Sequence, residues 1–438
     1  MKRSLLVVFS ALLIVVLAAC GGNNGGSNDG GKDDSSKGKD EVTEIDFYFP
    51  VAVGGPVADL VDDLADKFSD ENPDIKVNPK FGGSYEETMT QVMASVNAGN
   101  APELAVLFSI DLFTLLENDV IEELTPLFEA EMLDDFYDAF MENSSIGDEV
   151  YSLPFQRSTI VLYYNKDAFE EAGLDPNSPP ENWDELVEYS KKLTIDEGKT
   201  QWGLEIPSTG YQYWMLQALA LQTEQNVMTQ DGKEVFFDAP YVEESLQYWL
   251  DLSTKHNVMP EGILEWATVP SDFLSENTAM MFHTTGNLTN VKDNAEFDFG
   301  VSFLPANNQY GSPTGGGNIY LFKDIPEENR DAAIKFMEFL TEPENVAQWS
   351  IDTGYVATRE SAYETDLLKE YTEDFPEATV ARDQLEYADS ELATYQNGEI
   401  QKLFNDAIQS ILTEQTSIED GLKEVQEKAE NVLAPFQD

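Results

Sequence analysis

A chain of 438 residues with 42% apolar and 11% aromatic content has the material for two ordinary domains with real cores, which excludes a disordered or fibrous protein. Its 83 acidic residues against 25 basic ones, a formal charge of −58, set plain repulsion against nucleic acid and anionic lipid and read as a solvated surface suited to a saline or alkaline exterior. The single cysteine leaves no internal disulfide, so stability has to come from packing.

Residues 1–20 read as an export signal rather than as part of the fold. Lys2 and Arg3 form a basic start, and Leu5 to Leu17 an apolar run shorter than the ~20 residues a membrane span requires. The order Leu17-Ala18-Ala19-Cys20 at the end of that run resembles a bacterial lipoprotein signal. The resemblance implies cleavage before Cys20, acylation of its thiol, and a lipid-anchored protein on the extracellular face of the cell membrane. Residues 21–42 are Gly, Asn, Ser, Asp and Lys with almost no apolar side chain, the composition of a flexible tether.

The folded body begins with a strand over Ile45–Phe49. A helix to about Asn72 follows, with Leu60, Val61, Leu64 and Phe68 on one face. Strands over Ile75–Phe81 and Leu104–Phe108 flank a second helix over Tyr85–Ala98, and this alternation predicts a parallel sheet. Ligands of such sheets sit beyond the carboxyl ends of the strands, here Pro50–Gly55, Gly82–Tyr85 and Ser109. Helices are expected between Asp111 and Met141.

A buried strand over Thr159–Tyr164 comes next, preceded by the polar tetrad Gln156-Arg157-Ser158-Thr159 at its mouth. Asn165 caps the short helix after it, and Gly173 closes that helix. A further amphipathic helix covers Trp183–Leu193. In the cluster Gly210-Tyr211-Gln212-Tyr213-Trp214, Trp214 is expected in the core and Tyr211 at a cleft, where a flat ring suits a sugar face. A helix over Pro240–His256 leads on to Ala279–Gly286, a strand breaking into a polar loop and a second mouth of the same kind. The run Gly315-Gly316-Gly317 opens a strand to Phe322, either as a tight turn or to let backbone approach something bound. From Glu328 onward the pattern is helical, with a capping-box start at Thr341 and packing stripes at Ile400–Leu412 and Leu422–Leu433.

Catalytic patterns are missing from this reading. Only His256 and His283 are present, with no HExxH, cysteine pair, GxSxG elbow or nucleotide-binding glycine loop. Neither a metal nor a cofactor is expected. Tyr163 and Tyr164 point to opposite faces of a strand, which leaves them as core residues rather than an iron-binding pair.

The run PFQRSTxxLYYNKDAFxxAGLDP at 154–176, followed by Pro179, Pro180 and Trp183, resembles the extracellular solute-binding proteins of ABC importers. That group includes maltose-, oligosaccharide- and sn-glycerol-3-phosphate-binding members, and the last are the nearest in pattern. FxDENPDIKV at 68–77, GNAPE at 99–103, GGGN at 315–318 and TGYVATRE at 353–360 extend the likeness over about residues 43–436. It implies an α/β, two-lobed periplasmic-binding-protein-like fold, each lobe a mixed sheet flanked by helices, with a hinge between them. Lobe 1 is expected over 43–157 and 281–326, and lobe 2 over 158–280 and 327–438.

Carried over residue by residue, the resemblance assigns ligand contacts to Tyr85, Ser158, Tyr211, Thr284, Gly316 and Tyr355. It also places a family glutamate at Ser109 and a family arginine near Ala393, where this chain has neither. Arg157 is the candidate to replace that guanidinium. A phosphorylated polyol is the expected solute if Arg157 faces the cleft, and an uncharged mono- or oligosaccharide if it does not. The implied partners are that solute, the permease subunits of an ABC transporter and, through Cys20, the membrane, with the protein acting as a monomer. The alternative reading is a secreted carbohydrate-active hydrolase.

Overall fold

The computed structural model describes residues 42–195 and 201–437, so the expected export signal with Cys20 and, apart from Val42, the tether lie outside the described residues. Ten strands occur among the described residues. They are β1 (Thr43–Phe49), β2 (Ile75–Phe81), β3 (Leu104–Phe108), a small hairpin of β4 (Ser145–Ile146) and β5 (Glu149–Val150), β6 (Leu153–Asn165), β7 (Met280–Thr284), β8 (Phe299–Ser302), β9 (Ser312–Leu321) and β10 (Ala388–Asp389).

β1 pairs in parallel with both β2 and β3, as the alternation of strand and helix predicts. The helix Val57–Glu71 buries Val57, Val61, Ala65 and Phe68, one face at helical spacing, while its Asp-rich face meets solvent. The helix Tyr85–Asn97 starts from a reciprocal cap: Ser84 Oγ accepts from the Glu87 N–H while the Glu87 carboxylate accepts from the Ser84 N–H. The box expected at Thr341 does not form. The Thr341 hydroxyl instead donates back to the Met337 carbonyl one turn earlier, a local bond that β-hydroxyl side chains readily make. Between Asp111 and Met141 only three short helices occur, at Leu112–Glu117, Ala130–Leu133 and Asp138–Met141.

β6 is the spine. It is longer than expected, since Gln156–Thr159 lie inside the strand rather than before it, and all thirteen residues are buried. Its first half pairs antiparallel with β9, and its second half with β7 and β8. Leu153 and Phe155 pack in a first core with Phe47, Phe68 and Phe336, whereas Ile160, Leu162 and Tyr164 pack in a second with Trp183, Leu216 and Trp249. One strand therefore passes from one core to the other, and β9 runs beside it, placing Ile319 and Leu321 in the first core.

The packing departs from the expected division in two places. The helix Glu327–Leu340, expected with the second lobe, lays Phe336 edge-on against Phe47 at 5.3 Å and belongs to the first core. β7, expected to begin the return to the first lobe, hydrogen-bonds to Ile160–Tyr164 and sends Met280 and Phe282 into the second core. The helices Asn397–Leu412 and Ile418–Leu433 pack in the second core. Asn165 caps the helix Lys166–Glu171 through the Ala168 N–H, and Gly173 follows it at φ +73°. Tyr163 and Tyr164 are both buried, on opposite faces of β6.

Candidate binding cavity

Where the two cores meet, the structure encloses a small cavity of about 30 Å³. Aromatic rings wrap it in a continuous chain. Tyr85 stacks on Phe108 with centroids 3.9 Å apart, Phe108 meets Tyr211 edge-on at 5.9 Å, Tyr211 meets Trp266 at 4.5 Å, and Trp266 lies 6.3 Å from Trp214. Tyr355 lines the same space, and the Tyr85 hydroxyl donates to Gln156 Oε1 at 3.0 Å. Ser158, Thr284, Gly316 and Glu391 supply the polar part of the lining, and none of the described lining residues is basic.

Six of the eight expected positions, Tyr85, Ser158, Tyr211, Thr284, Gly316 and Tyr355, thus surround one space. Two do not. Side chains alternate along a strand, so when Ser158 faces the cavity its neighbour Arg157 faces away. The Arg157 guanidinium is fully buried, donating to Thr314 Oγ1 at 2.9 Å and to Asn318 Oδ1 and the Gly316 carbonyl at 3.4 Å each, over the ring of Phe140. Ser109 sits in the turn after β3, its carbonyl taken by Tyr320, and it is Phe108 just before it that reaches the cavity.

Phe108, Trp266 and Glu391 are lining residues that the sequence reading missed. Trp214, expected in the core, does both jobs: its Nε1 donates to the Thr314 carbonyl at 2.9 Å while its ring lines the cavity.

The three glycines are neither a turn nor a cradle for a ligand alone. They lie within β9, where an added Cβ would stand 2.4 Å from the Trp214 ring at Gly315, 1.9 Å from the Gln156 carbonyl at Gly316 and 2.7 Å from the Tyr85 ring at Gly317. Their smallness lets two cavity rings and the crossing strand converge.

Burial pushes the phenols of Tyr85, Tyr211 and Tyr355 well up, so they remain hydroxyl donors throughout the physiological range. His283 is held neutral by burial, its pKa lowered to about 3. Its Nε2–H donates to the Trp266 carbonyl at 3.2 Å, its Nδ1 accepts from Asn287 at 2.7 Å, and its ring lies tilted against Trp266 with centroids 3.9 Å apart. It positions that tryptophan and has no nucleophile beside it. Trp266 Nε1 in turn donates to the Ala52 carbonyl at 3.2 Å, joining the second core to the loop after β1.

Desolvation raises Glu391 to about 7, against the lowering pull of its Tyr213 hydrogen bond and of Arg157, and raises buried Glu205 to about 8. Both values lie above that of an unfolded glutamate. The native state therefore holds more protons than the unfolded chain at neutral pH, and stability falls as pH rises through these values. His283 acts in the opposite sense, and only below its ordinary value of 6.5. The melting temperature of the unliganded protein is accordingly expected to rise as pH is lowered from about 8.5 to about 6.5, which calorimetry checks.

A family model described as bacterial extracellular solute-binding protein matches residues 63–377. The sn-glycerol-3-phosphate-binding periplasmic protein UgpB of Pectobacterium atrosepticum is 28% identical over 368 residues, 80% of this chain and 81% of that one. The Escherichia coli K12 protein of the same name is 28% identical over 363 residues, 78% and 81%. Among solved structures, UgpB from Mycobacterium tuberculosis in complex with glycerophosphocholine superposes with a TM-score of 0.79 at 22% identity, covering 90% of this chain and 99% of that one. The cyclic alpha-maltosyl-1,6-maltose binding protein from Arthrobacter globiformis gives 0.77 at 22% identity, with 90% and 100% covered. These likenesses establish the two-lobed α/β architecture.

Proposed function

The chain belongs to the bacterial extracellular solute-binding protein family, and from that premise we propose that it captures an uncharged, hydroxyl-rich solute, a mono- or oligosaccharide, between its two lobes and delivers it unchanged to an ABC permease. The observation that carries this reading is the cavity lining: six aromatic rings and several hydroxyls, with no basic side chain among the described residues. Flat rings suit pyranose faces, and buried phenols and hydroxyls suit the polar edges. Phosphate favours arginine, whose fork it binds through two charge-assisted bonds, and here Arg157 is turned into the interior. The relatives named for sn-glycerol-3-phosphate keep a phosphorylated solute as the competing choice.

The lobes are proposed to close by a hinge at β6 and β9, the strands that cross between cores. Attachment through acylated Cys20 is supported by the Leu17-Ala18-Ala19-Cys20 order. A hydrolase acting on sugars asks for two carboxylates flanking the bond, whereas Glu391 is the single carboxylate among the described lining residues.

A panel of neutral sugars, glycerol 3-phosphate and glycerophosphodiesters tests the reading by melting shift and by quenching of tryptophan emission, since Trp214 and Trp266 line the cavity. At least one neutral sugar is expected to shift melting and quench emission with no product formed. Tyr211→Ala is expected to weaken that sugar by about 10- to 100-fold, as loss of a central aromatic anchor does. Binding confined to the phosphorylated members would overturn the neutral-solute assignment.

A further inference from the structure

Glu391 is the one charged side chain in the described lining, and it is 2% exposed. Its main chain is clamped by Asn143, whose Oδ1 accepts from the Glu391 N–H at 2.9 Å and whose Nδ2 donates to the Glu391 carbonyl at 3.2 Å. Oε1 accepts from the Tyr213 hydroxyl at 2.6 Å, which orients the carboxylate. Oε2 is buried and has no partner in the protein. A buried acceptor left empty is costly, and in the ionised form, which prevails above about pH 7, the Glu391 carboxylate accepts without being able to donate. The missing group must therefore bring a hydrogen.

We propose that Glu391 is the specificity-determining contact of the cavity: Oε2 takes a hydrogen bond from the solute, and the group it favours is an ammonium, so the site takes an amine-bearing sugar or polyol ahead of a neutral one and turns away its phosphate ester. This rests on the reading above that a hydroxyl-rich, unphosphorylated solute binds between the lobes, and it replaces the uncharged solute named there by an amine-bearing one. Three features act together. A carboxylate repels phosphate oxygens, which are acceptors facing an acceptor. The tryptophan and tyrosine faces around it attract a cation through their ring quadrupoles. The net charge of −58 draws cationic solutes toward the protein and slows anionic ones. Arg157 favours the ionised form of Glu391, while its Nη1 and Nη2 donate to Thr314, Asn318 and the Gly316 carbonyl and its side chain is not part of the lining.

Calorimetric titration of the purified protein with two matched sets provides the test: glucosamine, glucose and glucose 6-phosphate, then 3-amino-1,2-propanediol, glycerol and glycerol 3-phosphate. Within whichever set binds, the amine is expected to be tightest and the phosphate weakest, with about tenfold or more between them. Glu391→Gln keeps the shape and the Tyr213 contact, and is expected to reduce the preference for the amine over the neutral compound to within about threefold. A phosphate ester that binds the unaltered protein as tightly as its neutral partner overturns the proposal without need of any variant. So does an order of preference unchanged in a Glu391→Gln protein that melts cooperatively. If neutral sugars bind and only the ranking fails, the solute-binding reading survives. If no sugar or polyol binds at all, that reading falls as well.

Discussion

Gly316→Ala is expected to cost about 3 kcal/mol or more of stability and to abolish solute binding. Gly316 has φ +99°, a region that L side chains reach only under strain, and it stands opposite Arg157 in the pairing of β6 with β9. A Cβ there would lie 1.9 Å from the Gln156 carbonyl, which is backbone and cannot swing aside. The two crossing strands would have to separate. Their separation would also move Ser158 and Gln156, and with Gln156 the hydroxyl of Tyr85 that bonds to it. Urea titration should show the midpoint falling with little change in slope. Gly398→Ala is the control: nothing lies within 4 Å of its added Cβ, in the first turn of Asn397–Leu412, and the change should stabilise by about 0.4–1 kcal/mol or leave stability unchanged. A Gly316→Ala protein as stable as the parent would mean that the strand crossing tolerates separation, and the cavity floor would not depend on it.

What could be read from the sequence follows from how local the cause is. The helix Val57–Glu71 and strands β1 to β3 declared themselves by period, and Asn165 and Gly173 by capping chemistry, because each cause lies within a few residues. Tyr85, Ser158, Thr284 and Gly316 fall in segments that strand ends and the glycine run had marked, with resemblance choosing the residue in each, whereas Tyr355 came through resemblance alone. Arg157 shows why orientation failed. β6 is buried on both faces, so no polar and apolar alternation tells which of two adjacent polar residues faces a cleft. Ser109 failed by one residue, since the chain turns just after Phe108. Glu391 was one acidic residue among 83, in a segment without period, and its significance arises only from the long-range clamp by Asn143 and Tyr213.

Arg157 is expected to behave as a structural residue in substitution. Arg157→Ala empties the space of a large, fully buried side chain and strips Thr314 Oγ1 and Asn318 Oδ1 of their donor, for an expected loss of about 3–5 kcal/mol. Asn318 and Thr314 both bond to Asn143, which holds the main chain of Glu391, so the damage should reach the cavity. Arg157→Met separates packing from charge. It keeps an unbranched stem against Phe140 and removes a guanidinium whose own pKa is lowered to about 10 by burial, so part of its desolvation cost is relieved. The methionine variant is expected to lose about 1–3 kcal/mol, less than the alanine variant, and to retain the melting shift with a neutral sugar. It should also drive the Glu391 carboxyl further above about 7, because Arg157 is one of the two groups holding it down. At neutral pH the variant would then carry a more protonated Glu391 and a weaker preference for amine-bearing solutes. Melting and titration of both variants with the same compounds separate the possibilities. A protein that stays as stable as the parent yet selectively loses a phosphorylated ligand would put the guanidinium back in contact with solute.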